Sequence, residues 1–159
     1  MKKALVAYFS ISGVTAGKAE LITKIVGADT YEISPKIPYQ AKDLDWENET
    51  SRSTLEMKDL DCRPEIAMPV CDMEQYETVF VGFPIWWFRE PSIIDTFMES
   101  YDFSGKTIIP FATSIESPIG DTEKRLREIC KGTPDWAEAK MLTGFDETKI
   151  REWVESLSL

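Results

Sequence analysis

The sequence predicts an α/β fold: one domain over residues 1–159, built as an open, doubly wound sheet of parallel strands with helices on both faces. Three observations predict it. Apolar runs of strand length alternate along the chain with stretches of helical periodicity. The first run, KALVAYF, is apolar almost throughout, as strands buried on both faces are. The segments that follow the runs carry Ser, Gly and Pro, the residues of turns and helix starts.

Each element can be justified in order. The first strand is residues 3–9. Two lysines before an apolar stretch also resemble a secretory signal, but the stretch is too short and no small-residue cleavage pattern follows, so a buried strand is expected. Residues 14–26 set Val14, Leu21, Ile22, Ile25 and Val26 on one helical face, with Gly27 as the stop. Residues 29–34 alternate as a second strand, ended by Pro35. The interval 34–76 is the least regular. Its residues 43–60 have helical character and 62–70 look extended, which predicts one helix between irregular loops at the sheet's edge.

The third strand is residues 77–83 (ETVFVGF) and the fourth 107–114 (TIIPFATS). Pro110 is awkward there, because a central strand loses a ladder hydrogen bond at proline. A helix over 91–101 starts with Pro91 and turns Ile94, Phe97, Met98 and Tyr101 to one side. Another over 121–130 has Asp121 as its cap. Residues 137–142 read as a short fifth strand. A closing helix over 146–157 has Ile150, Trp153, Val154 and Leu157 inward.

Composition narrows the function. The chain has 159 residues, 43% hydrophobic and 29% charged, and a formal charge of −10 from 18 basic and 28 acidic side chains. That field disfavours nucleic acid and anionic membranes, and suits partners with basic docking surfaces. No apolar run has membrane-spanning length. There is no histidine, so the commonest general base and metal ligand is missing. Cys62, Cys71 and Cys130 have no metal or disulfide spacing, which is the pattern of reduced thiols in a cytoplasmic protein. No metal site and no catalytic side chain is expected; the chemistry falls to a bound cofactor.

Two segments can hold one. Between the first strand and first helix, Ser10, Ile11, Ser12, Gly13, Val14 and Thr15 supply three hydroxyls, a glycine and a helix N-terminus carrying about half a positive charge. Hydrogen bonds to a charged group are worth about 1.5–3 kcal/mol each. A few can hold a phosphate without Lys or Arg, although an ordinary Ser/Thr helix cap uses the same residues. After the third strand, Pro84, Ile85, Trp86, Trp87 and Phe88 make a rigid, flat-walled apolar loop. With strand order 2-1-3-4-5 the two loops flank the point where ligands bind, outside the carboxyl ends of strands one and three. Ala112, Thr113, Ser114, Ile115 and Gly120, after the fourth strand, border the same crevice.

FSISGVTAGKAE, YEISPKIPY, GFPIWWFREP and YDFSGKTIIPFATS, in this order, resemble the flavodoxin family, in particular its short stand-alone branch. The resemblance covers nearly the whole chain. It implies a flavodoxin-like three-layer sandwich with a five-stranded sheet and non-covalent FMN. Residues 10 and 12–15 would be the phosphate loop, and residues 84–88 and 113–120 the frame of the flavin ring. Where the family usually carries Asn this chain has Val14, and where the branch often has glycines it has Ile115 and Glu116. An acidic surface and apolar walls oppose the gain of negative charge on a bound flavin, and Glu116 beside the ring would add to this. The implied function is electron transfer between a reductase and acceptor enzymes. An NAD(P)H-dependent FMN or quinone reductase, and a binding module with weakened flavin affinity, fit the same residues.

Overall fold

The structure is a computed structural model and describes residues 3–115 and 117–159. Strands β1 (Lys3–Tyr8), β2 (Asp29–Glu32), β3 (Tyr76–Pro84), β4 (Thr107–Thr113), β5 (Asp135–Trp136) and β6 (Lys140–Met141) form one parallel sheet. Its order is β2-β1-β3-β4-β5, with β6 also on β4. The α-helices are α1 (Val14–Val26), α2 (Arg52–Lys58), α3 (Ser92–Ser100), α4 (Thr122–Ile129) and α5 (Glu147–Ser156). None of the described helices is long and apolar enough to cross a membrane.

Side-chain alternation divides the central strands between two cores. Leu5, Ala7, Val79, Val81, Phe83 and Ile108 pack with Ile94, Phe97 and Met98 of α3 and Leu126 of α4. Val6, Phe80, Ile109 and Phe111 pack with Ala19 and Ile22 of α1 and Ile150 and Trp153 of α5. Gly82 pairs in register with Phe111. A Cβ on Gly82 would lie 2.1 Å from the phenyl ring, so glycine is what lets that ring cross the strand. Val14, assigned by periodicity to the inward face, is instead 50% exposed. The buried position of that first turn goes to Thr15.

The expected fifth strand is interrupted, and Pro110 explains how. Ala137 N–H donates to Ile108 O (2.9 Å) and Leu142 N–H to Ala112 O (2.8 Å). By alternation, position 110 also turns its polar groups toward this edge, and proline has no N–H to offer. Trp136 and Lys140, four residues apart, pair with Ile108 and Phe111, three apart. The edge chain therefore carries one extra residue, as in a β-bulge. Toward β3 the register is unbroken from Thr78↔Thr107 to Pro84↔Thr113. Pro110 thus costs the sheet its edge and not its centre.

Between β2 and β3, Lys36 N–H donates to Glu65 O and Ala67 N–H to Ser34 O, both 2.8 Å, closing the neck of a long excursion. Of the expected helix over 43–60 only residues 52–58 form an α-helix, and residues 43–44 end a short 3-10 helix, Ala41–Leu44. Upstream, the Asp45 and Asn48 side chains accept from the backbone N–H groups of Glu47 (3.1 Å) and Thr50 (2.9 Å), which favours turns over helix.

Candidate functional site

Three loops leave the carboxyl ends of β1, β3 and β4 side by side. Phe9 N–H donates to Gly82 O (2.9 Å), and Ile85 N–H to Thr113 O (2.9 Å). The Thr15 and Thr113 hydroxyls meet at 2.8 Å in a buried contact. The first loop is thereby tied directly to the third.

In the first loop Ile11, Ser12, Gly13 and Val14 are exposed. Gly13 turns the chain at φ 90°, a conformation that disfavours side chains, and a Cβ there would meet open space. Ser10 Oγ accepts from the N–H groups of Gly13 and Ala16, both at 3.2 Å. The amides of Val14 and Thr15, in the first turn of α1, have no intrahelical acceptor. The three hydroxyls divide their roles: Ser10 caps the helix, Ser12 stands in solvent and Thr15 braces the third loop.

The second loop is a two-residue hairpin. Trp86 N–H donates to Arg89 O (2.9 Å) and Arg89 N–H to Trp86 O (3.2 Å). At its tip Trp87 and Phe88 have φ of 47° and 65°. Such tips ordinarily carry Asn or Gly, and a left-handed non-glycine residue costs about 1–2 kcal/mol. Here two aromatics take the strained positions and stand 39% and 63% exposed. Trp86 turns inward, edge-on to Phe9 at 5.6 Å and to Tyr39 at 5.7 Å. Ile85 is buried and contributes backbone. Pro84 closes β3.

Tyr39 is a neighbour that sequence reasoning did not assign to the site. It also packs against Phe9 (5.8 Å), carries the Arg52 guanidinium 3.8 Å over its ring and donates its hydroxyl to Glu56. Burial, then the hydrogen bond to Glu56, push its hydroxyl far above the ordinary tyrosine range. A groove of about 650 Å³ lies on the outer side, lined by Arg52, Glu56 and Cys62 among others. Neither the first loop nor the hairpin lines it.

The hairpin rests on buried charge, which sequence reasoning also missed. Arg89 is 6% exposed, and Glu90 and Asp95 are fully buried. Arg89 donates to Met57 O (3.0 Å) and Glu56 O (3.4 Å) at the end of α2, and to Ser92 Oγ (3.3 Å). A cation suits the carbonyl end of a helix. Arg125 of α4 reaches Glu90 Oε1 through Nε and Asp95 Oδ2 through an Nη, both at 2.9 Å. Burial pulls the Arg89 guanidinium below its ordinary range, against the charges of Asp95 and Glu90.

In the third loop Ala112 and Thr113 are buried, while Ser114 exchanges two 2.8 Å hydrogen bonds with the Thr143 hydroxyl. Ile115 is 98% exposed. Gly120, at φ 60°, approaches the hairpin so closely that a Cβ would lie 2.7 Å from Phe88 O. Glu116, expected beside the ring, lies outside the described residues. Among the described residues no cluster of His, Cys, Asp or Glu could hold a metal ion.

Uncharged donors at the start of α1 and the exposed aromatic rings of the hairpin thus stand at the same end of the sheet. They fit a ligand with an anionic group at one end and a planar ring at the other. The family model described as flavodoxin matches residues 3–157. Comparison with curated proteins gives no match. A crystal structure of a flavoprotein candidate from Bacteroides uniformis ATCC 8492 is 44% identical, with TM-score 0.92, over 97% of this chain and 98% of that one. One from Bacteroides eggerthii DSM 20697 is 42% identical, also at 0.92, over 100% and 99%. A flavoprotein in complex with FMN from Lactobacillus acidophilus NCFM shares the fold at 21% identity and TM-score 0.72, over 97% and 99%.

Proposed function

This chain belongs to the flavodoxin family, and on that premise we propose that it binds one FMN without a covalent bond and carries electrons between a reductase and acceptor enzymes. The observation that carries the reading is the convergence of the three loops at the carboxyl ends of β1, β3 and β4. FMN, when bound, supplies the redox chemistry. The chain's own residues bind and orient it. The Ser12 hydroxyl and the free amides at the start of α1 would take the phosphate, helped by the helix dipole. Trp87, Phe88 and the Thr113–Ile115 backbone would flank the ring and exclude water from it.

Nothing in this arrangement requires the protein to move a proton at a reacting atom, which suits a carrier. The charge of −10 would steer it to basic docking patches on its partners. The unpaired cysteines Cys62, Cys71 and Cys130 suit a reducing cytoplasm. Titration of the flavin-free protein with FMN should quench flavin fluorescence at a one-to-one ratio. Reduction of the loaded protein by its reductase should slow as salt rises. No quenching at micromolar concentrations would overturn the cofactor assignment. Sustained NAD(P)H oxidation by the loaded protein alone would overturn the carrier assignment.

A further inference from the structure

Glu90 and Asp95 each use one carboxylate oxygen on Arg125 and leave the other without a partner. Glu90 Oε2 and Asp95 Oδ1 are both buried and both lack a hydrogen-bond donor among the described residues. Two acceptor-only oxygens in a dry interior are costly. Their companion oxygens sit 2.9 Å from two nitrogens of the same planar guanidinium, which holds the two carboxyl groups side by side. A single hydrogen between the orphaned oxygens would satisfy both, turning one into a donor and the other into its acceptor.

We propose that Glu90 and Asp95 share one proton, and that this protonated pair is the positioning element that seats the Trp86–Arg89 hairpin on α3 and α4. Glu90 belongs to the chain leaving the hairpin and Asp95 to the first turn of α3, so the shared hydrogen bond joins the loop to the helix behind it. Removal of the proton sets two carboxylates against each other in a buried site, where like charges cannot both be held cheaply.

The charges around the pair come from every element packed on it. From the hairpin, Arg89 lies 3.5 Å from Asp95 and 3.9 Å from Glu90. From α4 comes Arg125. From the segment before β3, Arg63 lies 3.7 Å from Asp95 and is shared with Glu99, one turn further along α3, at 2.8 Å. These guanidiniums hold the pair's net negative charge. They cannot serve the orphaned oxygens, which none of them reaches. Burial, then the hydrogen bond and charge of Glu90, raise the Asp95 carboxyl from its ordinary 3.8 to about 8, with Arg125 and Arg89 opposing.

The sign of the pH effect follows. Between those limits the folded chain holds a proton that the unfolded chain has lost, so folding stability falls as pH rises. One proton corresponds to a change of up to about tenfold in the unfolding equilibrium constant per pH unit. The inference concerns the protein without flavin as much as with it, so its test does not depend on FMN binding.

The experiment is urea unfolding of the full chain between about pH 5 and pH 8, with wild type compared to Asp95→Asn and to Glu90→Gln. Either amide supplies a permanent hydrogen to the partner oxygen. Each variant should therefore lose the pH dependence of one proton relative to wild type. Followed on to about pH 10, tryptophan emission of the folded protein, to which Trp86 and Trp87 contribute with three other tryptophans, should change as the pair loses its proton above about pH 8 and stay constant in the variants. Parallel pH profiles in wild type and variants would overturn the shared proton. Loss of the shared proton without an emission change would overturn the seating role. Infrared spectra of the wild type keep the test independent of whether the variants fold. A protonated-carboxyl band near neutral pH that vanishes at high pH is expected, and its absence would refute the pair.

Discussion

At the first loop the residue with positive φ is Gly13, at 90°, whereas at the hairpin it is Trp87 and Phe88, at 47° and 65°. The first loop has no charged side chain from Phe9 to Gly17 and is held by hydroxyls: Ser10 on two amides, Thr15 on Thr113. The hairpin is held from beneath by Arg89, Glu90, Asp95 and Arg125. One loop adopts its shape at little conformational cost and leaves amides free. The other keeps aromatic rings where glycine would be easier, and needs a buried ionic frame to stay there. Affinity for an anion and rigidity of a ring wall are separate tasks, met by different chemistry a few ångströms apart.

The largest effect is expected where the frame is broken. Arg89→Met removes the clamp on α2 and leaves the buried carboxyls short of one cation. It should destabilise the protein by about 3–5 kcal/mol in urea unfolding. A loss below about 1 kcal/mol would mean that the hairpin stands without its ionic support. A smaller effect of opposite sign tests the strain itself. Phe88→Gly should stabilise the fold by about 1 kcal/mol, since glycine accepts φ 65° freely, while FMN binding weakens several-fold. A less stable variant would show that Phe88 is relaxed where it stands.

The smallest effect belongs to the first loop. Val14→Asn adds a donor at an exposed position, 50% accessible in wild type, beside the free amides. Its FMN dissociation constant should fall by roughly three- to tenfold, about 1 kcal/mol, the net worth of an ordinary hydrogen bond at an exposed position. Equal constants for the two proteins would place the side chain at position 14 outside the phosphate's reach.

The same contrast governs what could be read from the sequence. β1, β3 and β4 are buried on both faces and announce themselves as apolar runs, and the first loop announces itself by Gly13 among the hydroxyls of Ser10, Ser12 and Thr15. Alternation with helices gives the parallel sheet; its order is that of the flavodoxin-like sandwich the sequence resembles, and loop adjacency follows from that order. The hairpin's conformation was hidden because positive φ is normally signalled by Gly or Asn, not by Trp-Phe. Its foundation was hidden because Arg63, Arg89, Glu90, Asp95 and Arg125 are spread over the sequence, and as residue types belong to the surface. Only packing α2, α3 and α4 together brings them inside. The broken edge was half visible: Pro110 was conspicuous, but which neighbour would lose a hydrogen bond depends on the pleat.

That proline has a consequence for how copies of this chain meet one another. A long, straight sheet edge invites a second chain to add a strand, the first step of many aggregates. Here the β4 side of the sheet ends in two strands of two residues each, offset by a bulge. An incoming strand finds no continuous row of donors and acceptors to copy. A residue that looks like a flaw in the sheet's interior thus keeps its margin from becoming a template.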